Sequence, residues 1–147
     1  MRTWLEISDL IVDYDPVSLT RRPVRRQDVI TRLKEAKQPW GARIVEHLDV
    51  DEDGVLDPTE VDRVLLSCHA EIQRLHEESE QGHRSLSLLG PMIEVARARG
   101  ISPIRVVDIG CGIGFVMRWL AAHHAAPDVE YIGVDYNATL IRAAQHL

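Results

Sequence analysis

The sequence has few aromatic residues and few cysteines for its length. Aromatic side chains make up 5% of the 147 residues, and the two cysteines are Cys68 and Cys111. They lack the paired spacing of a metal-binding knuckle, and no secretory signal accompanies them, so we expect reduced thiols and a cytoplasmic location. No apolar run approaches the ~20 residues of a membrane-spanning helix. The sequence therefore predicts a protein without a membrane segment.

Basic residues are also in the minority. The chain has 17 lysines and arginines against 23 aspartates and glutamates, which gives a net charge of -6. This excess of acid disfavours general nucleic-acid binding, because phosphate groups attract cationic surfaces. An apolar content of 45% is nevertheless enough for a globular chain to bury a core.

The hydrophobic period divides the chain into two parts. Up to residue 82 the apolar residues recur at helical spacing, and the longest predicted helix, Pro58 to Glu80, carries the apolar stripe Val61, Val64, Leu65, Cys68, Ile72 and Leu75. A further helix is predicted from Ser85 to Arg99, with Gly100 as its cap. We therefore predict an all-α segment over residues 1–82 and the start of an α/β domain over residues 83–147.

The second part alternates strand and helix patterns. Ile104 to Ile109 and Val129 to Val134 are predicted strands, Phe115 to His124 is a helix between them, and another helix starts near Asn137. This order is typical of a doubly wound parallel sheet. Two strands with open edges do not form a stable sheet. We therefore expect a continuation or a partner chain to supply further strands, and we do not expect catalysis by these 147 residues alone.

A glycine-rich loop joins the first predicted strand to its helix. The segment 108–114 reads Asp-Ile-Gly-Cys-Gly-Ile-Gly, and the bare glycines allow a ligand to approach the backbone. Asp135 ends the next strand, where a carboxylate can accept hydrogen bonds from ribose hydroxyls. A dinucleotide fingerprint needs a small residue where Phe115 stands. The Phe115 ring therefore weakens the interpretation of the loop as a nicotinamide or flavin site.

These motifs resemble class I S-adenosylmethionine-dependent methyltransferases. The glycine loop resembles the first motif of that family, and Tyr131 to Asp135 resembles its second strand with the terminal acid. The resemblance covers residues 85 to 147 and implies a Rossmann-like fold, truncated after the second strand, that transfers a methyl group from S-adenosylmethionine to an unidentified acceptor. It implies a methionyl ammonium contact for Asp108, a ribose contact for Asp135 and an adenine contact for Tyr136. The implied cofactor-binding residues are Asp108, Gly110, Cys111, Gly112, Gly114, Asp135 and Tyr136.

A plainer interpretation of the same residues stays open. The glycines would then only form a tight turn, and Asp135 would only cap the helix that begins at Asn137 or Ala138. A plain turn needs one or two glycines and leaves the third unexplained. The sequence assigns no catalytic residue in either case.

An acidic loop lies upstream, from Asp49 to Glu60. It resembles the twelve-residue EF-hand loop, in which Gly54 forms the turn and oxygen atoms bind Ca²⁺. The implied ligands are Asp49, Asp51, Asp53, the Val55 carbonyl, Asp57 and Glu60. Alternatively, Asp57, Pro58 and Glu60 form a capping box without metal. A companion loop without a metal would begin at Asp13, or this segment is an ordinary loop interrupted by Pro16 and Pro23.

Two functions from different classes remain in competition. The first is a methyltransferase that also carries a calcium-binding loop, and the second is a calcium-binding EF-hand module that carries an inactive methyltransferase remnant. His69, His76 and His83 recur every seven residues, about 10.5 Å apart along a helix, which is too far for neighbours to share one ion. We interpret them as a polar stripe, and we expect Trp40 to fill a junction between two helices.

Overall fold

The computed structural model describes residues 4–147 and shows a mixed α/β protein. Within this part of the chain there are seven helices and two small sheets. The chain divides into two compact units, Met1–Leu65 and Leu66–Leu147. This division falls within a long helix and lies N-terminal to the predicted boundary between residues 82 and 83.

The first unit consists of short helices and one small hairpin. Its elements are α1 (Ile7–Ile11), β1 (Asp13–Tyr14), β2 (Arg21–Arg22), α2 (Arg26–Glu35), α3 (Pro39–Glu46) and the first turns of α4 (Pro58–Glu78). The strands β1 and β2 are antiparallel, with Asp13 opposite Arg22. The sequence analysis did not predict this hairpin.

Aliphatic side chains from three helices form the core of the first unit. Leu33 of α2, Val45 of α3 and Val61 of α4 are completely buried. Trp40, by contrast, is 76% exposed, so its predicted place in a helix junction is wrong. The reason is that α3 begins at Pro39 and buries Gly41, Ala42 and Val45, which leaves the Trp40 side chain on its outer face.

The second unit contains the C-terminal part of α4 and a strand-helix-strand arrangement. Its further elements are α5 (Gln81–Ala98), β3 (Ile104–Ile109), α6 (Phe115–His123), β4 (Val129–Val134) and α7 (Ala138–His146). The strands β3 and β4 are parallel, and their register runs from the pair Ile104–Val129 to the pair Ile109–Val134. The predicted bounds of both strands are confirmed.

The β3–β4 sheet is packed on one face and open on the other. Ile104 is buried and Val106 half-buried, whereas Val107 and Ile109 are 51% and 86% exposed. This alternation follows from the period of two along a strand. The sheet therefore presents apolar side chains to solvent near its carboxyl end.

Two helix predictions in this region are wrong. Cys68, Ile72 and Leu75 were expected in a buried stripe but are exposed, so the apolar face of α4 ends after Leu65. The helix α5 begins at Gln81, four residues before the predicted Ser85. The pair Gln81-Gly82 is a helix-stop pattern in the sequence, but Gly82 lies inside the first turn of α5. A glycine is needed there because the Trp119 ring leaves no room for a Cβ atom.

The described helices also bear on membrane insertion. None of the helices between residues 4 and 147 is both long enough and apolar enough to cross a membrane.

Candidate functional site

The glycine loop between β3 and α6 turns three times through the left-handed region. Gly110, Gly112 and Gly114 have φ angles of +81°, +55° and +74°. Residues with a Cβ atom rarely adopt this conformation, so the alternating glycines are needed by the backbone path itself. Gly114 is the N-cap residue of α6. The loop is therefore a separate turn and not the first part of a helix.

Backbone amides of the loop bind the carboxyl end of β4. The N–H groups of Gly110 and Cys111 donate to the Val134 carbonyl at 2.8 and 3.1 Å. The Gly112 N–H donates to Oδ2 of Asp135 at 2.9 Å. The loop and Asp135 are thus held together at the edge of the sheet where the parallel strands end.

The Asp135 carboxylate has a structural task as well. Its Oδ1 atom accepts a hydrogen bond from the Asn137 N–H at 2.8 Å, while the Asn137 side chain caps α7 by accepting from the N–H groups of Thr139 and Leu140. The helix cap is therefore Asn137, not Asp135. A carboxylate offers about four lone-pair positions, so the two bonds leave acceptor capacity on this half-buried side chain.

A cavity of about 200 Å³ lies between the glycine loop and α4. Its walls include Asp108 and Cys111 on the loop side and His69, Gln73 and His76 on the helix side. The two walls approach each other closely. A Cβ atom added at Gly112 would lie only 2.7 Å from Cδ2 of His69. The His76 ring lies 5.8 Å from the Phe115 ring, measured between centroids.

The sequence analysis missed this helix wall. It placed His69 and His76 on one side of a helix but assigned them no role. Their spacing of seven residues could have indicated a shared face. Nothing in the sequence indicates which part of the protein that face contacts.

Cys111 is a packing residue of the loop. Burial raises the pKa of its thiol, and the nearby carboxylates of Asp135 and Asp108 raise it further. A Cβ atom at Gly133 would lie 2.8 Å from the Cys111 sulfur. The thiol therefore stays protonated near neutral pH and fills the space beside β4.

The implied cofactor-binding residues occupy different parts of this site. Asp108, Gly110 and Cys111 line the cavity. Asp135, directly after the end of β4, accepts a hydrogen bond from the loop. The side chain of the next residue, Tyr136, is 57% exposed. The site therefore combines a small, partly open pocket with an exposed acidic edge.

The acidic loop of the first unit turns at Gly54, whose φ angle is +75°. The Asp51 Oδ1 atom accepts hydrogen bonds from the N–H groups of Asp53 and Val55 at 3.0 and 2.9 Å. The Asp57 N–H donates to the Asp49 carbonyl at 2.9 Å. The loop is therefore closed by its own backbone and by one of its own carboxylates.

A short backbone pairing connects the acidic loop to the segment before α2. The Leu56 N–H donates to the Val24 carbonyl at 2.9 Å, and Arg25 forms an antiparallel bridge with Val55. This pairing places the predicted companion segment, which begins at Asp13, in backbone contact with the acidic loop through its C-terminal end.

The acids of this loop do not converge on one point. The two Glu60 carboxylate oxygens accept hydrogen bonds from Arg63 at 2.7 and 2.9 Å, and this contact lowers the pKa of Glu60. Asp57 Oδ1 accepts from the Thr59 N–H at 2.8 Å, as a helix-capping residue does. Among residues 4–147, no group of three or more histidine, cysteine, aspartate or glutamate side chains is arranged to hold a metal ion.

No family model, no curated protein and no solved structure matches this chain. Its function is therefore argued from the geometry of the two loops.

Proposed function

We propose that this chain forms the S-adenosylmethionine-binding part of a methyltransferase. The observation that carries the proposal is the closure of the Gly110–Gly114 loop on the Asp135 carboxylate at the carboxyl end of two parallel strands. Ligands of open α/β sheets bind outside this end of the strands. Alternating glycines, two acids and an adjoining cavity provide the groups that a nucleoside with an amino-acid tail requires.

Each residue of the site has a distinct part in this proposal. The remaining lone pairs of Asp135 accept hydrogen bonds from the ribose hydroxyls, and Asp108 accepts from the methionyl ammonium. The exposed ring of Tyr136 packs along the adenine. The cofactor, when bound, supplies the activated methyl group, and the protein holds it in line with the acceptor.

The size of the cavity limits what it encloses. At about 200 Å³ it is smaller than the roughly 300 Å³ at which pockets for complete small ligands begin. It therefore takes one end of the cofactor, and the remainder lies along the open edge near Asp135 and Tyr136.

We infer that in the active enzyme further strands pair with the open edges of the β3–β4 sheet and that another element or a partner chain covers its open face. Val107, Ile109 and Val134 are 51%, 86% and 41% exposed on neighbouring strands. Exposed strand edges beside apolar side chains favour association. The methyl acceptor would then bind between this chain and the element that covers the open face.

Titration calorimetry with S-adenosylmethionine tests the proposal. We expect saturable binding that Asp135→Asn weakens by about tenfold or more, because a neutral amide loses charge-assisted hydrogen bonds. Asp128→Asn is the matched control, since this acid precedes β4 and pairs with Arg97. Absence of binding, or equal binding by wild type and Asp135→Asn, would overturn the proposal.

Calcium binding at Asp49–Glu60 is the second candidate function. The left-handed Gly54 and the pairing of the loop with Val24 and Arg25 favour it, because EF-hand loops turn at a glycine in this position. The donor oxygens fit Ca²⁺ in number and type. Binding requires Glu60 to exchange Arg63 for the ion, since Arg63 occupies both of its oxygens.

Calcium titration tests this second candidate. We expect Glu60→Gln to abolish binding, because the bidentate ligand is lost. Glu52→Gln is the control, since this exposed acid belongs to the loop but not to the implied ligand set. Calcium binding without any S-adenosylmethionine binding would favour the alternative of a calcium module with an inactive remnant. Binding that survives Glu60→Gln would contradict the calcium assignment.

A further inference from the structure

The inward face of α4 changes from apolar to polar along its length. Val61 and Leu65 are buried, and the next half-buried positions at the same helical spacing are His69, Gln73 and His76. A helix normally continues its aliphatic stripe where it packs on a protein. Here the stripe becomes polar where α4 lines the cavity beside the glycine loop.

The two walls of the cavity differ in chemical character. Asp108 provides a carboxylate on the loop side, whereas His69 and His76 provide imidazoles on the helix side. An imidazole carries at least one N–H donor in every protonation state. The cavity therefore offers an acceptor for a cation and donors for an anion within about 200 Å³.

A half-buried arginine lies next to the helix wall. The Arg118 Nη2 atom donates to Oε1 of Gln73 at 2.9 Å, and Nε2 of Gln73 donates to Glu77 at 2.8 Å. Gln73 is thus held in place by two partners. The Arg118 Nε atom is buried without a hydrogen-bond partner, so one donor beside the α4 wall is unsatisfied.

We propose that the α4 wall binds the carboxylate of an α-amino-acid zwitterion, with His69 donating to one oxygen, His76 donating to the other, and Asp108 as the acceptor for the ammonium. This inference rests on the proposed function, since the zwitterion is the methionyl end of S-adenosylmethionine. The ribose and adenine then extend from the cavity towards Asp135. The proposal gives α4, which lies outside the glycine motif, a direct part in cofactor binding.

Calorimetry with three probes tests the assignment. The probes are S-adenosylmethionine, its decarboxylated form, which keeps the sulfonium and the amine, and adenosine. We expect wild type to prefer S-adenosylmethionine over the decarboxylated form by about tenfold or more, as charge-assisted hydrogen bonds predict. His76→Phe and His69→Leu should lose this preference, because both remove an N–H donor, and should keep the affinity for adenosine.

His83→Phe is the matched control. His83 continues the seven-residue repeat but packs against Trp119 in a tilted arrangement, with 4.6 Å between ring centroids, and does not line the cavity, so this variant should keep the wild-type preference. Variants of His69 and His76 that are folded by circular dichroism and retain the full preference would overturn the inference, and so would a wild type that binds both cofactor forms equally. The proposed function survives these two results. A wild type that binds none of the three probes would overturn the proposed function and this inference together.

Discussion

The glycine loop and the acidic loop use similar residues in different ways. Each turns at a left-handed glycine, Gly112 or Gly54, and each leads into a helix. In the glycine loop, the carboxylate that binds a backbone amide comes from Asp135, beyond the next strand. In the acidic loop it comes from Asp51, a member of the loop itself. The carboxylate that closes the first loop is therefore distant in sequence, whereas the one that closes the second is local.

The two glycines also differ in their surroundings. A side chain at Gly112 would meet the His69 ring across the cavity, whereas a side chain at Gly54 would meet nothing within 4 Å. Gly54 is needed only for its backbone conformation, while Gly112 is needed for both conformation and space. A similar motif can thus mark a site with two walls or a turn with open space beside its glycine.

Substitution of Gly112 has the largest expected effect on stability. Alanine at a left-handed position costs about 1–2 kcal/mol, and the collision with His69 adds about 1–3 kcal/mol. Gly110→Ala is the matched control, because its φ angle is +81° and no atom lies within 4 Å of the added Cβ. Denaturant unfolding of both variants measures the difference. If Gly112→Ala is no less stable than Gly110→Ala, the close approach of α4 to the loop is wrong.

Removal of Arg63 should strengthen calcium binding at the acidic loop. Exposed ion pairs are weak, so Arg63→Ala should raise calcium affinity by about two- to fivefold when Glu60 becomes free. Arg74→Ala is the control, since Arg74 forms a similar pair with Glu71 further along α4. Calcium titration of both variants gives the answer. An unchanged affinity in Arg63→Ala would show that the ion pair does not compete with the metal.

Low pH should destabilise the folded protein in part through protonation of Glu60. The hydrogen bond from Arg63 lowers the pKa of Glu60, so the folded state favours its ionised form. The resulting stability is present above the ordinary pKa of glutamate and is lost as the pH falls through the lowered value. Glu60→Gln should therefore reduce the acid-dependent fall of the melting temperature slightly. A fall identical to that of wild type would contradict this account.

Polar substitutions on the open face of β3 should have the smallest effect on folding. Val107→Thr and Ile109→Thr replace exposed side chains, so each should change the free energy of unfolding by less than about 0.5 kcal/mol. Binding of a hydrophobic dye should decrease in both variants, because the apolar patch is smaller. A large loss of stability would show that this face is already packed and is not available to a covering element.

Local patterns were sufficient to predict β3, β4 and the two glycine turns, but not the β1–β2 hairpin. The β-branched residues of β3 and β4 and the alternating glycines specify their conformation within a few neighbours, so their bounds follow from the sequence. The turn at Gly54 follows in the same way. These are the parts of both loops that depend least on distant residues.

The remaining features depend on contacts that the sequence does not reveal. Gly82 resembles a helix stop, but the space it provides is used by Trp119. Cys68 falls in an apolar stripe, but α4 turns its polar side, with His69 and His76, towards the cavity. Only the tertiary structure shows that α4 belongs to the candidate site.

Amide chemical shifts during titration with S-adenosylmethionine test the central claim most directly. We predict that the N–H resonances of Gly110, Cys111 and Gly112 shift together and saturate, while the N–H resonance of Gly54 stays unchanged. The side-chain resonances of His69 and His76 should follow the same binding curve. Saturable binding that leaves the glycine loop unshifted, or no binding at all, would contradict the assignment of this loop as a cofactor site.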